Sequence, residues 1–272
     1  MNIASAYSQH VKKRAQRIYD QVSKTTGIYS AAYFHQLRVE IKKMNAALRI
    51  VKHCSPDFPR KKIFQPYKTI GKSAGEVREI QLEESAIRKL PPDQFTRHYL
   101  LMLKEQRLVK KKEFVEVKIQ ANTSLKKRLD KILPFADDIN SVNASVYLNQ
   151  LKQNCIDQMN KEKLNIATIH KLRMILKEYL YNFEVINSNS KLTLKPLYQL
   201  QDLIGKWHDL NVIQHHLNNY KRRSKLSVRN AAHLQKVKSG FSEKASLLIS
   251  RINKVKNEAL SLFTLRAAAQ EQ

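Results

Sequence analysis

The stretch "FHQLRVEIKKMNAALRIV" (residues 34–51) combines the apolar rhythm of a helix with basic residues on one side. Its apolar residues recur at every third or fourth position, which is the spacing of a helix that packs one face on a core. His35, Arg38 and Lys42 are spaced i, i+3 and i+7, so they share one helix face. This basic stripe lies beside the apolar face rather than opposite it, and partial desolvation there strengthens contacts with anions.

The same pattern occurs a second time in the chain. In "IHKLRMILKEYLYNFEVI" (residues 169–186), His170, Arg173 and Lys177 occupy the positions of the first stripe at a constant offset of 135 residues. A solvated helix face has no reason to repeat three residue types in register. The recurrence therefore favours a site for an anion over a surface that is merely wet.

A second pair of segments follows in the same order. The segments "IGKSAGEVREIQL" (70–82) and "QDLIGKWHDLNVI" (201–213) align at an offset of 130 residues, so that Gly75 matches Gly205 and Glu79 matches Asp209. Because glycine inside a helix is unfavourable, we expect a close helix–helix approach at both glycines. We expect the two acids to pair with basic residues and hold them in place. The two matched blocks indicate a tandem duplication of a four-helix unit.

Helical periodicity runs through nearly the whole chain, and no strand pattern is present. Helices are predicted at about residues 3–24, 29–53, 60–90, 93–132, 143–161, 166–187, 192–222 and 227–265. The polar segment "LPFADDINSVNAS", with Pro134, is the predicted connection at the midpoint. The sequence thus predicts an all-α protein with a single domain (1–272) made of two four-helix repeats, 1–137 and 138–272.

The charge of the chain indicates a polyanionic partner. Lys and Arg number 50 against 23 Asp and Glu, a formal net charge of +27, and the excess is present in both halves. Such self-repulsion destabilises a compact state, so a polyanion is the economical explanation. Nucleic acid, an anionic membrane surface and inorganic polyphosphate are the candidates.

Several features bear on the compartment of the protein. No stretch approaches 18 consecutive apolar residues, and "MNIASAYSQHVKKRAQR" lacks the apolar core of a signal peptide. Cys54 and Cys155 follow apolar helical stretches and have no metal-type spacing, so we expect reduced thiols in the core or at its boundary. We therefore expect a cytoplasmic protein.

The sequence disfavours catalysis and metal binding. Phosphate-binding glycine loops, dinucleotide fingerprints and paired Cys-x-x-Cys motifs are absent, and acidic residues are not grouped to hold divalent metals. His208, His215 and His216 have no carboxylate or cysteine that completes a ligand set. Trp207 is expected to anchor the core rather than to stack on a base. We expect no metal, no cofactor and no enzymatic activity, with a metal-dependent phosphohydrolase as a remote alternative.

These paired motifs resemble those of the CHAD domain, the conserved-histidine α-helical domain, over essentially the whole chain. The resemblance implies two four-helix bundles related by a pseudo-twofold axis, with a basic groove or pore between them. It also implies binding of inorganic polyphosphate by a stand-alone, non-catalytic protein in the cytoplasm, with polyphosphate granules as one place of action.

The resemblance also implies a set of contact residues. Those of the first half are His35, Arg38, Lys42, Lys43, Arg49 and Arg78, and those of the second half are His170, Arg173 and Lys177. Arg107 and Lys111 are added because their helical spacing places them on one face. The second copy departs from the pattern at Glu178, which replaces Lys43, and at His208, which replaces Arg78.

A nucleic-acid-binding helical protein is the alternative function. It shares the requirement for positive charge but needs base readout or aromatic stacking in addition. The aromatic residues that flank the motifs are spaced like core residues; they are Tyr33, Phe34, Tyr179, Tyr181 and Phe183.

Overall fold

The computed structural model describes residues 2–24, 29–161, 164–187, 194–224 and 226–268. Within these ranges the secondary structure consists of eight α-helices without a strand. The helices are α1 (Ile3–Ser23), α2 (Ala31–Cys54), α3 (Arg60–Ile87), α4 (Gln94–Asp137), α5 (Ser141–Met159), α6 (Ile166–Ile186), α7 (Lys195–Arg223) and α8 (Val228–Ala268). The predicted all-α fold is confirmed.

Polar side chains mark where most of the helices begin. At α4, the Thr96 amide donates to Asp93 Oδ1 at 2.7 Å and the Asp93 amide donates to Thr96 Oγ1 at 2.8 Å, a reciprocal capping box. Five more side chains accept from amides of the first turn: Asn2 on α1, Ser30 on α2, Asn140 on α5, Asn165 on α6 and Ser227 on α8. These caps satisfy amides that have no partner within the helix.

Helix α4 is longer than its sequence indicates. Pro134 was expected in a loop after residue 132, but it lies inside the helix, which continues to Asp137. A proline inside a helix costs roughly 3 kcal/mol. Ile132 and Ala136 are fully buried, and the Phe135 ring packs 5.2 Å from that of Phe58. Burial of this last turn offsets the lost hydrogen bond, so the prediction of a break at Pro134 was wrong.

The chain forms two compact units that interleave along the sequence. Unit 1 comprises Met1–Glu84, Met102–Gln150 and Tyr181–Ser188, and unit 2 comprises Ser85–Leu101, Leu151–Leu180 and Asn189–Gln272. Helices α3, α4, α5 and α6 each contribute to both units. The repeats 1–137 and 138–272, the pseudo-twofold axis and the groove stay predictions from the sequence.

In unit 1, α1 packs along α2 and fixes the helix that carries the first basic stripe. Leu37, Met44 and Leu48 on α2 are fully buried in the core of the unit. Beside this core, Arg14 of α1 donates to Glu40 of α2 at 2.7 Å, with both side chains buried. A buried charge pair of this kind fixes the register of two helices because either partner alone is costly to bury.

In unit 2, α7 packs against α8. Trp207 on α7 is buried, so the prediction that it anchors the core is confirmed. Cys155 on α5 is buried and unpaired with another cysteine, while Cys54 lies half-buried in unit 1. Burial raises the pKa of both thiols, to about 12 for Cys155. Both positions agree with the expectation that the two cysteines lie in the core or at its boundary.

Candidate functional site

The basic stripe of α2 lies at the edge of the buried helix face. Leu37 and Ile41 point into the core, Arg38 and Lys42 are half-buried, and His35 is exposed. Arg38 and Lys42 thus have the partial burial that the sequence pattern predicts. His35 is more open to solvent than an edge position requires.

The guanidinium of Arg38 is held by α3. Its Nη1 donates to the carbonyl oxygen of Gly75 at 3.0 Å and lies 3.7 Å from Glu79 Oε1. The expectation that Glu79 pairs with a basic residue is therefore confirmed. A Cβ atom added at Gly75 would lie 3.3 Å from Arg38 Nη1 and 3.4 Å from Cζ. The atoms close to Gly75 therefore belong to a long side chain rather than to another helix backbone.

Lys43 is engaged on the opposite flank of α2. Its Nζ lies 2.9 Å from Glu184 Oε2 and 5.4 Å from the centre of the Tyr181 ring, both on the last turns of α6. The same segment of α6, which belongs to unit 1, is also held by α1: the backbone oxygen of Asn182 accepts a hydrogen bond from the Tyr7 hydroxyl at 3.3 Å. Lys43 therefore helps to hold the end of α6 against α2.

A second cationic group lies where α3 and α4 meet. Arg107 Nε is 2.9 Å from Glu84 Oε1, and Lys110 Nζ is 3.2 Å from Glu76 Oε2. Burial and the neighbouring Arg107 lower the pKa of Lys111, against an opposing effect of Glu84. Arg107 and Lys111 on α4 thus lie close together, as their helical spacing predicts. Glu84 on α3 lies beside both of them. Arg49 and Arg78 are half-buried in the same unit.

His10 of α1 is half-buried near three cationic side chains. Burial, followed by the charges of Arg14, Lys43 and Lys13, lowers the pKa of His10 to about 3. His10 is therefore neutral at physiological pH.

The second stripe, on the part of α6 that belongs to unit 2, repeats the burial of the first. His170 is exposed, Arg173 and Lys177 are half-buried, and Leu172 and Leu176 are buried. The His170 ring lies 5.9 Å from that of His208 on α7. Each basic residue thus has the same burial class as its counterpart on α2, and Glu178 is half-buried like Lys43.

The two glycines of the matched blocks differ in their surroundings. A Cβ atom added at Gly205 would meet no atom of the described residues within 4 Å. The expected close helix approach at Gly205 is therefore wrong, and at Gly75 it is corrected to contact with a side chain. The pairing of Asp209 with a basic residue stays a prediction.

The structure also shows partners that the sequence did not indicate. Glu184 and Glu84 are the carboxylates that engage Lys43 and Arg107. Neither acid belongs to a matched pair of the two blocks, and Glu184 lies 141 residues from Lys43. No local pattern connects residues at that separation.

Most aromatic residues near the motifs pack in the hydrophobic core. Phe34, Tyr179, Tyr181 and Trp207 are buried.

Among the described residues, no group of three or more histidines, cysteines or acids is arranged to hold a metal ion. In that same part of the chain, no helix combines the length and apolar character that crossing a bilayer requires.

The chain is similar to known proteins both in sequence and in fold. A model of the CHAD domain family matches residues 13–218. The CHAD domain from the plant Ricinus communis superposes with a TM-score of 0.79 at 14% identity, covering 96% of this chain and 92% of that one. PptA from Streptomyces chartreusis superposes with a TM-score of 0.72 at 11% identity, covering 94% of this chain and 99% of the other. A comparison with curated proteins gives no match.

Proposed function

Because the chain belongs to the CHAD family, we propose that it binds inorganic polyphosphate through its basic stripes and does not turn the polymer over. The proposed contacts in unit 1 are His35, Arg38, Lys42, Arg78, Arg107 and Lys111, with Lys43 and Arg49 beside them. Those in unit 2 are His170, Arg173 and Lys177. The proposal includes a cytoplasmic location, with polyphosphate granules as one place of action.

The observation that carries this proposal is the recurrence of His, Arg and Lys on α2 and α6 with the same burial. A side chain at the edge of a packed face is held in place by its buried neighbours while part of it stays exposed to solvent. Arginine there can donate two parallel hydrogen bonds to a phosphate, and lysine adds a point charge. An imidazole can donate a hydrogen bond to a phosphate oxygen, so His35 and His170 add one contact to each stripe.

Polyphosphate fits these stripes better than nucleic acid does. It carries about one charge per phosphate and offers no base to read, so charge and hydrogen bonding suffice for its recognition. Binding of single-stranded nucleic acid commonly uses exposed aromatic rings on which the bases stack. The aromatic residues Phe34, Tyr179 and Tyr181 are buried, which supports the polyphosphate assignment.

The test removes the central residues of both stripes together. We expect the combined variant His35→Ala, Arg38→Ala, His170→Ala and Arg173→Ala to bind long-chain polyphosphate about 100-fold more weakly, since each arginine supplies charge-assisted hydrogen bonds. Titration calorimetry measures the affinity, and far-UV circular dichroism checks that helicity is kept.

The control variant removes the same residue types from exposed positions outside the stripes. His98→Ala, Lys112→Ala, His215→Ala and Lys236→Ala delete two histidines and two cations, all exposed. Because both variants lose the same formal charge, the long-range attraction of the polymer falls equally in both. Equal affinities of the two variants would reject the site.

Two further experiments test the alternative functions. Displacement of polyphosphate by single-stranded DNA or RNA at equal phosphate concentration would favour the nucleic-acid function. Release of phosphate in the presence of magnesium or manganese would contradict the non-catalytic assignment.

A further inference from the structure

Gly75 lies directly beneath the guanidinium of Arg38, in the interior of α3. Its carbonyl oxygen accepts from Nη1 at 3.0 Å, and its α-carbon carries no side chain where a Cβ atom would lie 3.3 Å from Nη1, 3.4 Å from Cζ and 3.7 Å from Nη2. Glu79, one turn further along α3, places Oε1 3.7 Å from the same Nη1. A carbonyl, a carboxylate and the space of a missing side chain thus surround one end of the guanidinium.

This arrangement leaves the other end of the guanidinium for a ligand. The hydrogen bond and the ion pair of Arg38 that involve described residues both use Nη1, and the side chain is 23% exposed. The planar group carries five N–H donors in a fixed fork, so fixing one edge orients the remaining donors. An arginine that is already ordered loses less conformational freedom when it grips a phosphate.

We infer that Gly75 is a positioning residue for polyphosphate, because it forms with Glu79 a seat that fixes the Arg38 guanidinium before the polymer binds. The inference rests on the proposed function for its ligand. Glycine inside a helix is unfavourable relative to alanine, and the seat is the local reason for it at this position. The seat consists of the Gly75 carbonyl and α-carbon together with the Glu79 carboxylate.

The matching position on α7 is not built in this way. At Gly205, an added Cβ atom meets no described atom within 4 Å. The pair of matched glycines therefore gives a variant and its control on equivalent positions of the two blocks. A side chain at Gly75 displaces Arg38, whereas one at Gly205 enters open space.

The experiment compares Gly75→Val with Gly205→Val in the full chain. We expect Gly75→Val to weaken binding of long-chain polyphosphate about tenfold, close to the loss caused by Arg38→Gln, and Gly205→Val to change it by less than about twofold. Gly75→Ala serves as a milder variant, with a loss of about twofold to threefold, because a single methyl group requires Arg38 to shift by only a few tenths of an ångström.

A double-mutant cycle separates positioning from general damage to the helix. If Gly75 acts through Arg38, then Gly75→Val has no further effect on affinity in the Arg38→Gln background. A loss that adds to that of Arg38→Gln, or equal losses at Gly75 and Gly205, would overturn the inference. If Gly75→Val fails to fold, Gly75→Ala in the same cycle decides by the same criterion.

A measurement without ligand keeps the two proposals apart. Thermal unfolding is measured without polyphosphate for Gly75→Ala and Gly205→Ala, each in the parent chain and in the Arg38→Gln background. We expect Gly75→Ala to lower the midpoint relative to Gly205→Ala in the parent chain, and this difference to disappear in the Arg38→Gln background. If the parent chain binds no polyphosphate while this cycle shows coupling, the proposed function is rejected and the seat stands. Absence of coupling in both cycles rejects the seat.

Discussion

Lys43 has its ammonium group fixed on two sides, by the Glu184 carboxylate at 2.9 Å and by the face of the Tyr181 ring. Both acid and base are largely buried, at 19% and 22% side-chain exposure, so the pair is weakly screened by solvent. Its first role is to hold the last turns of α6 on α2. Contact with polyphosphate would require the polymer to compete with a carboxylate that is already in place.

Removing Lys43 should therefore affect stability more than binding. We expect Lys43→Met to lower the free energy of unfolding by about 1–3 kcal/mol, because Glu184 is left half-buried without its hydrogen-bonded cation. Urea denaturation at pH 7 measures the loss as a shift of the midpoint.

The exposed pair Lys206–Asp202 on α7 provides the matched control. Its atoms are also close, at 2.7 Å, but the side chains are 62% and 63% exposed. Lys206→Met should change the free energy of unfolding by less than about 0.5 kcal/mol, as is usual for solvated i,i+4 pairs. Equal losses for the two lysines would contradict the role assigned to Lys43.

At the scale of the helix, Asp93 serves both the start of α4 and the attachment of α8. Its carboxylate accepts from the Thr96 amide, and its Oδ2 lies 2.5 Å from His233 Nε2 of α8. Burial opposes ionisation of this carboxyl, but the hydrogen bonds from Thr96 and the nearby His233 outweigh it, so the pKa of Asp93 is lower than its ordinary value. The ionised form is therefore the one that stabilises the folded chain.

A change of Asp93 should have a pH-dependent effect. Asp93→Ala is expected to lower the free energy of unfolding by about 1 kcal/mol at pH 7, as for other N-cap residues. Because the carboxyl has a lower pKa in the folded state, its stabilising effect is complete above the unfolded pKa of about 4 and is lost as the pH falls below that value. Urea denaturation over a pH series checks both points. Asp93→Asn keeps the cap, so it should lose less stability at pH 7; a loss as large as that of Asp93→Ala would show that the cap is unimportant.

For the whole molecule, the net charge of +27 sets the strength of any polyanion interaction and its response to salt. Each cation that neutralises a phosphate releases a counterion, so log K falls linearly with log salt concentration. The diffuse charge of the surface and the ordered cations of the stripes contribute differently to that slope. In the proposed complex, only the ordered cations make fixed phosphate contacts.

The salt dependence should therefore distinguish the two groups of cations. We expect the four-site stripe variant to reduce the slope of log K against log salt concentration by about 1–2, which corresponds to two lost phosphate contacts. The four-site control variant should keep the slope of the parent chain. Titrations at several sodium chloride concentrations measure it, and equal slopes for both variants would show that the stripes act only through bulk charge.

Much of this architecture follows from local properties of the chain. The limits of seven helices could be predicted within a few residues, because apolar periodicity and capping residues act over three to four positions. The exception was the end of α4, where Pro134 is overruled by burial of Ile132 and Ala136. The stripes themselves could be predicted for the same reason, since residues at i, i+3 and i+7 share a face in any regular helix.

The sequence by itself determined the helices, the charge and the two basic stripes, all of which depend on neighbours along the chain. Only the tertiary structure decided what each basic residue touches. Arg38 meets Gly75 across 37 residues, Lys43 meets Glu184 across 141, and Arg107 meets Glu84 across 23. These pairs form because helices packed on a shared core bring distant turns together, and no periodic pattern encodes which turns meet. That is also why Gly75 and Gly205, matched in the sequence, have different neighbours in the fold.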